Sequence, residues 1–331
     1  MTVLGIHHVT AIASDPQRNL DFYVRVLGLR LVKRTVNFDD PGTYHFYFGD
    51  DAGHPGSILT FFPWPGASRG RQGSGQVAVV SFAVPSGALG FWVQRLLHHG
   101  VAYEGPVKGG SSTSTSEQVI SFKDPDGLLL EIVAHQGAEQ RSAWDHAPGI
   151  PREHAIHGLC RVTLWAQSGE PTERVLVDTL GFRLIHEDGA TRRFAAGDGG
   201  PGTMVDVRSI GGFPDGVEGA GVVHHVAWRV TDDANQLDLC ERVVRTGLAP
   251  TPVIDRQYFH SVYFREPGGI LFELATDPPG FTIDESKEHL GEQLMLPARY
   301  EPYRAEIEAR LPEIHMSGRP DAVVSAPDPK A

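Results

Sequence analysis

The chain of 331 residues is 40% hydrophobic and 21% charged, a composition typical of a soluble globular protein with room for two domains. Its formal net charge of -12 argues against a nucleic-acid backbone or an anionic membrane as a partner. The sequence has no apolar run near the ~20 residues that cross a bilayer, and its N-terminus enters a strand pattern without a basic leader. We therefore expect a cytoplasmic protein with no nucleic-acid or membrane partner.

The cysteine content limits the kind of metal site that the chain can build. Its two cysteines, Cys160 and Cys240, lie among apolar residues, as reduced core thiols of a cytosolic protein do. Two thiols are too few for a structural zinc site made of thiolates. A metal ion in this protein would therefore be held by nitrogen and oxygen ligands.

The same order of elements recurs four times along the chain: a strand, an amphipathic helix that ends at a glycine, and then several further strands. The glycines that end the four predicted helices are Gly28, Gly100, Gly181 and Gly247. In each repeat a Gly/Pro turn then leads into an apolar strand. This order predicts an α+β fold of four βαβββ modules that form two domains.

The domain boundaries follow from a stretch rich in proline and glycine near the middle of the chain. We expect two modules in 1–135, a linker in 136–156, two further modules in 157–280 and a C-terminal extension in 281–331. Within the extension, Leu296 to Leu311 is predicted as a helix. The residues from Ser317 onward, rich in Pro, Asp and Ala, are predicted to be disordered.

Histidine pairs mark only the first and the last module, as His7-His8 and His224-His225. Strand alternation places the second histidine of each pair on the face with small or polar residues, which is expected for the wall of a cavity. The last strand of module four carries Glu273 between two apolar residues, where a carboxylate is costly unless a cation or a donor meets it. Two histidines and one carboxylate form the facial triad that leaves metal positions open. We therefore predict that His8, His225 and Glu273 bind a metal ion.

The two inner modules provide an internal control for this ligand set. At the histidine position, module two has Val79 and module three has Arg161. The positions that match Glu273 carry Thr60 in module one, Glu131 in module two and Asp206 in module three. Only modules one and four hold ligands, so we predict that they pair in one cup around the metal. Modules two and three would then form a second, metal-free cup.

The repeat with histidines on its first strands resembles the vicinal oxygen chelate superfamily, which includes glyoxalase I and the extradiol dioxygenases. It is similar in particular to the hydroquinone 1,2-dioxygenase group of ring-cleaving enzymes, over nearly the whole chain. The stretches that carry the resemblance are 29–39, 44–50, 256–269, 291–297 and 307–312. The resemblance implies an enzyme that inserts O2 into a hydroquinone- or catechol-type ring.

The resemblance also implies a cofactor and a set of site residues. In that group the metal is Fe(II), sometimes replaceable by Mn(II), and its ligands fall on His8, His225 and Glu273. Further active-site residues of the group fall on Tyr263, Arg256, His224, His7 and Thr10. The first three are expected to be catalytic, and the last two to contact the substrate or support the ligands. His45 is expected to be an ordinary strand residue without a ligand role.

Two other functions use the same scaffold. A glyoxalase-type isomerase generally holds its metal with four side chains, two of them acids, and Thr60 at the fourth position is a poor ligand. A thiol transferase acting on an antibiotic shares the three-ligand arrangement but is usually a dimer of shorter chains. Both stay open as alternatives, because one fold carries several chemistries. Exposed sheet edges make a homodimer or higher homo-oligomer plausible.

Overall fold

The structure of the protein is a computed structural model that describes residues 2–108 and 117–316. The described residues form two eight-stranded sheets, and each sheet combines two of the four strand-helix-strand repeats. Each repeat has one helix between its first strand and three further strands. The predicted α+β fold of four βαβββ modules is confirmed.

The first sheet is built from the first and the last module. Its strands are β1 (Ile6–Ala13), β2 (Arg30–Asn37), β3 (Asp40–Gly49), β4 (Ile58–Pro63), β13 (Val223–Val230), β14 (Ile254–Asp255), β15 (Phe259–Arg265) and β16 (Leu271–Pro279). Their order across the sheet is β14-β15-β16-β13-β1-β4-β3-β2. Strands β1 and β13 run antiparallel at the centre and join the two modules. The predicted pairing of module one with module four is therefore confirmed.

The second sheet repeats this arrangement with the two inner modules. Its strands are β5 (Gln76–Val84), β6 (Tyr103–Lys108), β7 (Gln118–Lys123), β8 (Leu129–Ala134), β9 (Leu159–Ala166), β10 (Arg183–Asp188), β11 (Thr191–Ala195) and β12 (Met204–Ser209). Their order is β10-β11-β12-β9-β5-β8-β7-β6, with β5 and β9 antiparallel at the centre. Each sheet thus draws strands from both halves of the chain, and the domain boundaries drawn from the sequence stay a prediction.

The described residues form five α-helices, and aspartates cap two of them. They are α1 (Pro16–Asp21), α2 (Leu89–His98), α3 (Glu170–Arg174), α4 (Asp233–Arg245) and α5 (Arg304–Arg310). Helices α1 and α3 continue as π-helical turns. Asp15 caps α1 by accepting a hydrogen bond from the backbone N–H of Arg18, and Asp232 caps α4 in the same way. No helix in 2–108 or 117–316 is long and apolar enough to cross a membrane.

The C-terminal extension differs from the prediction. A single helix was expected from Leu296 to Leu311, but α5 covers only Arg304–Arg310 and follows a short 3-10 turn at Glu301–Tyr303. The physical reason is proline: Pro297 and Pro302 lack the N–H that a continuous helix needs. The predicted disordered tail from Ser317 lies outside the described residues.

Strand alternation in β13 agrees with the predicted division into a core face and a cavity face. Val226, Trp228 and Val230 are fully buried, and the ring of Trp228 packs edge-on against Phe272 at 5.2 Å between centroids. His225 lies on the opposite face. The core therefore holds one face of the first sheet in place and leaves the other face to the polar residues described below.

The second sheet has an arginine where the first has a histidine. On β9 and β12 the residue two places after Arg161 pairs with Asp206. On β13 and β16 the residue two places after His225 pairs with Glu273. Arg161 is thus the structural counterpart of His225, and Asp206 that of Glu273.

The guanidinium of Arg161 lies at the centre of a buried acidic cluster. It is 3.3 Å from carboxylate oxygens of Glu117 and Asp206 and 3.4 Å from Glu131. Its side chain is only 4% exposed. We call the face of the second sheet that carries these residues the second cup. It holds an arginine at the position where the first sheet has a histidine.

Replacing Arg161 by methionine should be strongly destabilising, because it removes one of the two guanidiniums that pair with the buried carboxylates of Glu117 and Asp206 and leaves Arg193 as the other. We expect Arg161→Met to lower the free energy of unfolding by about 3–5 kcal/mol. Arg192→Met is the matched control: Arg192 pairs with Glu173 at 2.7 Å but is exposed, so its loss should leave the free energy of unfolding near the wild-type value. Urea denaturation of both variants measures the difference. Equal stability of the two would contradict the assigned role.

Candidate metal centre

Three donor atoms from three strands meet on one face of the first sheet. Nε2 of His225 is 2.9 Å from Oε2 of Glu273, and Nε2 of His8 is 3.3 Å from the same oxygen. The two imidazole Nε2 atoms are 3.4 Å apart. All three side chains are buried. We call this face of the sheet, which carries His8, His225 and Glu273, the first cup.

The spacing of the three donors fits a divalent cation. Donors at about 2.1 Å from an ion, in neighbouring positions of an octahedron, are about 3.0 Å from one another. Oε1 of Glu273 accepts a hydrogen bond from Oγ of Ser261 at 2.5 Å. Oε2 is buried, and apart from the two imidazoles no group of the described residues is paired with it. The orphaned oxygen faces the two imidazoles, so the residues present form a candidate metal site.

The protonation states of these side chains also suit a cation. Burial lowers the pKa of His225 to about 4, so this imidazole is neutral near pH 7. Burial by itself would raise the pKa of Glu273, but the imidazoles of His8 and His225 outweigh it and hold that pKa well below its usual range. A neutral imidazole and an ionised carboxylate are the forms that bind metal ions.

Each ligand histidine is oriented by the histidine before it. Nδ1 of His7 lies 2.9 Å from Nδ1 of His8, and Nδ1 of His224 lies 2.8 Å from Nδ1 of His225. A hydrogen bond at Nδ1 fixes the tautomer and directs Nε2 to the centre. His7 and His224 therefore each contact one of the histidines predicted to bind the metal.

Arg256 and Tyr263 lie on the side of the first cup next to His225. The ring of Tyr263 contacts His225 edge-on at 5.6 Å between centroids. Nε of Arg256 donates to the Tyr263 hydroxyl at 3.3 Å, and its Nη1 pairs with Asp39 at 3.1 Å. Burial, followed by the charge of Glu273, raises the pKa of Tyr263, so its phenol is protonated near pH 7. Tyr263 is thus a hydrogen-bond donor at this site.

Thr10 completes the set of predicted residues. It is the cross-strand neighbour of His225, and its hydroxyl accepts a hydrogen bond from Thr60 at 2.9 Å. The structure thus places all eight residues that the sequence singled out around one centre. Which of them bind the metal or the substrate stays a prediction.

Sequence reasoning missed two side chains that contact the ligand set. Ser261 holds Oε1 of Glu273, and the ring of Phe259 lies 5.0 Å from the rings of both His7 and His8. A signal for both was present, because they alternate with Tyr263 on the same strand and so share its face. Serine and phenylalanine are too common in strands for their residue type alone to mark a site.

Removing the charge of Glu273 should weaken metal binding more than removing the hydrogen bond that Ser261 donates to Glu273. We expect Glu273→Gln, which keeps the shape of the side chain, to lower the affinity for Mn(II) by about 100-fold or more. Ser261→Ala removes only a supporting hydrogen bond and should lower it by about 10-fold. Calorimetric titration of metal-free protein with Mn(II) gives both values.

The second sheet offers a matched control for this experiment. Glu131 occupies the position in module two that corresponds to Glu273, so Glu131→Gln removes a partly buried strand carboxylate at the matching position. Its Mn(II) affinity should equal that of the wild type. Unchanged affinity in Glu273→Gln, or a loss of similar size in Glu131→Gln, would contradict the site.

Comparison with known proteins agrees with this geometry. The model of the "Glyoxalase/Bleomycin resistance protein/Dioxygenase superfamily" matches residues 5–132 and 158–274. A Bacillus subtilis protein named "Putative ring-cleaving dioxygenase MhqO" is 48% identical over 93% of this chain and 96% of its own. The "Chlorohydroquinone/hydroquinone 1,2-dioxygenase" of Sphingobium indicum is 34% identical over 92% of this chain and 95% of its own.

A solved structure gives the same result for the fold. The crystal structure described as a "putative dioxygenase" from Bacillus subtilis superposes with a TM-score of 0.89 at 46% identity, over 95% of this chain and 98% of that one. Each of the two segments that match the family model carries part of the candidate metal centre. The first contains His8, and the second contains His225 and Glu273. The chain belongs to the glyoxalase/bleomycin resistance protein/dioxygenase superfamily.

Proposed function

We propose that the protein is a metal-dependent ring-cleaving dioxygenase that acts on an aromatic diol of the hydroquinone or catechol type. The observation that carries the proposal is the buried set of two imidazoles and one carboxylate with an orphaned oxygen. Three protein donors leave coordination positions open for small molecules, as oxygenases need. The relatives named above as ring-cleaving and hydroquinone dioxygenases support the same reaction class.

We further propose Fe(II) as the ion, with Mn(II) as a substitute. The donors His8, His225 and Glu273 form the 2-His-1-carboxylate set that is characteristic of non-haem Fe(II) oxygenases. When bound, such an ion would favour loss of the phenol proton and, together with the diol, supply electrons to dioxygen. The overall reaction adds both atoms of O2 to the diol and opens the ring, so no further reductant is consumed.

The residues around the centre have roles that follow from their contacts. The Tyr263 phenol is protonated near pH 7 and beside His225, so it can donate a hydrogen bond to an oxygen of the diol. Arg256 holds that phenol in place through its Nε and adds positive charge, which stabilises negative charge on a substrate oxygen. Phe259 covers His7 and His8 and keeps water from the ligands on that side.

The glyoxalase-type isomerase is less well supported. Its fourth protein ligand would come from the Thr60 position, which lacks a carboxylate. The Thr60 hydroxyl is moreover held between Thr10 and His45 by hydrogen bonds of 2.9 Å each. The site thus has three protein donors, which favours the dioxygenase over the isomerase. No contact in the described residues favours a thiol transferase.

Oxygen consumption tests the proposal. Protein purified without oxygen and loaded with Fe(II) should take up O2 with hydroquinone, methylhydroquinone or catechol and form a ring-opened product. His8→Ala and Glu273→Ala should each keep below about 1% of that rate, because each removes one donor to the ion.

The matched control uses the second group of side chains with metal-binding spacing, Asp50, Asp51 and His54. His54 is largely exposed and pairs with Asp50 at 2.9 Å. His54→Ala should keep the wild-type rate. Tight binding of one metal ion per chain without O2 uptake on any of the three diols would contradict the proposed reaction.

A further inference from the structure

Four side chains form a hydrogen-bonded chain across the first cup. The Thr60 hydroxyl donates to Oγ1 of Thr10 at 2.9 Å, and Nε2 of His45 lies 2.9 Å from the same Thr60 oxygen. The Tyr47 hydroxyl lies 3.0 Å from Nδ1 of His45. We call these residues, Thr10, Thr60, His45 and Tyr47, the hydroxyl chain.

The hydroxyl chain begins beside the candidate metal centre. In the strand register Thr10 pairs with His225 on one side and with Thr60 on the other, and Thr60 pairs with Tyr47. All four side chains therefore share the face of the ligands. Thr60 occupies the position in module one that corresponds to Glu273.

The protonation of His45 decides how the hydrogens are arranged. Burial is the largest cause that lowers the pKa of His45 well below its usual value, so the ring is neutral. A neutral imidazole donates through one nitrogen and accepts through the other. The four groups thus carry four hydrogens for three links, and one hydrogen is left at an end of the hydroxyl chain.

The surroundings of the two ends differ. The Tyr47 ring is 1% exposed and packs edge-on against Tyr258, Phe259 and Phe281. An unpaired hydroxyl hydrogen among these rings would be costly, so Tyr47 is expected to donate to Nδ1 of His45. His45 must then donate to Thr60, and Thr60 to Thr10. The remaining hydrogen is that of the Thr10 hydroxyl, next to His225.

We propose that His45 is a positioning residue that acts through Thr60 to make the Thr10 hydroxyl a hydrogen-bond donor to a phenolic oxygen in the first cup. This inference rests on the proposed function, because it requires an aromatic diol as the ligand. Without the nitrogen atoms of His45, Thr60 can accept from Thr10 instead, and the donor toward the ligand is lost. The sequence marks His45 only as a strand residue.

Binding without turnover tests this role. The full chain is loaded with Fe(II) in the absence of O2 and titrated with hydroquinone in a calorimeter. His45→Phe keeps an aromatic ring beside Phe62 but removes both nitrogens, and Thr60→Val removes the link. His45→Phe is expected to weaken hydroquinone binding about 3- to 10-fold, as the loss of one hydrogen bond does. Thr60→Val should stay near the wild-type affinity, because without the Thr60 hydroxyl the Thr10 hydrogen has no competing acceptor in the hydroxyl chain.

A double-mutant cycle separates the proposed coupling from a general disturbance. Because His45 acts through Thr60, adding Thr60→Val to His45→Phe should restore hydroquinone affinity, so that the double variant binds like Thr60→Val alone. His45→Gln, which restores an N–H donor toward Thr60, should regain most of the lost affinity. Fe(II) affinity should stay at the wild-type value in all of these variants.

Tyr44→Phe is the matched control, since Tyr44 is on the same strand but donates to the carbonyl of Pro312 outside the hydroxyl chain. It should bind hydroquinone like the wild type. A double variant as weak as His45→Phe, unchanged affinity in His45→Phe, or a parallel loss of Fe(II) affinity would each overturn the role of His45. If the wild type itself does not bind hydroquinone, the proposed function fails as well, which is a distinct result.

Discussion

A carboxylate with one unpartnered oxygen lies in the middle of the first sheet, and the arrangement of the site depends on it. Glu273 is fully buried, Ser261 holds one of its oxygens, and two imidazoles face the other. An ionised group in such a place is costly unless a cation meets it. The surrounding contacts, including those of His7 and His224 with the ligand histidines, fix the donors in the orientation that a divalent ion requires.

The two sheets meet the same electrostatic requirement in different ways. Both carry buried acids on the strands that adjoin their central pair, at positions related by the internal repeat. In the second sheet the guanidiniums of Arg161 and Arg193 pair directly with the carboxylates of Glu117, Glu131 and Asp206. The first sheet has histidines in place of the arginine. The positive charge beside Glu273 would then come from a bound ion with open coordination positions. The repeated fold thus provides one cup whose cation is an arginine side chain and one cup for which we propose a bound metal ion.

The main features of the fold and the site were predictable because they depend on strand alternation and on comparison between repeats. Strand alternation predicts the sheet face on which His8 and His225 lie. Comparison between repeats predicts that the first module pairs with the last. The proposed role of His45 does not follow from these rules, because it depends on which side-chain atoms on neighbouring strands form hydrogen bonds, and strand alternation does not show this. The last helix is shorter than its periodic sequence pattern indicates, because Pro297 and Pro302 interrupt the helix before Arg304.

The most direct test of the central claim is where the metal binds. Crystals of protein loaded with Fe(II) under anaerobic conditions can be measured at the iron absorption edge, where anomalous scattering locates iron atoms. We predict one peak per chain, within bonding distance of Nε2 of His8, Nε2 of His225 and Oε2 of Glu273, and none beside Arg161. A peak at any other set of residues, or no peak in protein that carries one iron per chain, would contradict the assignment of this centre.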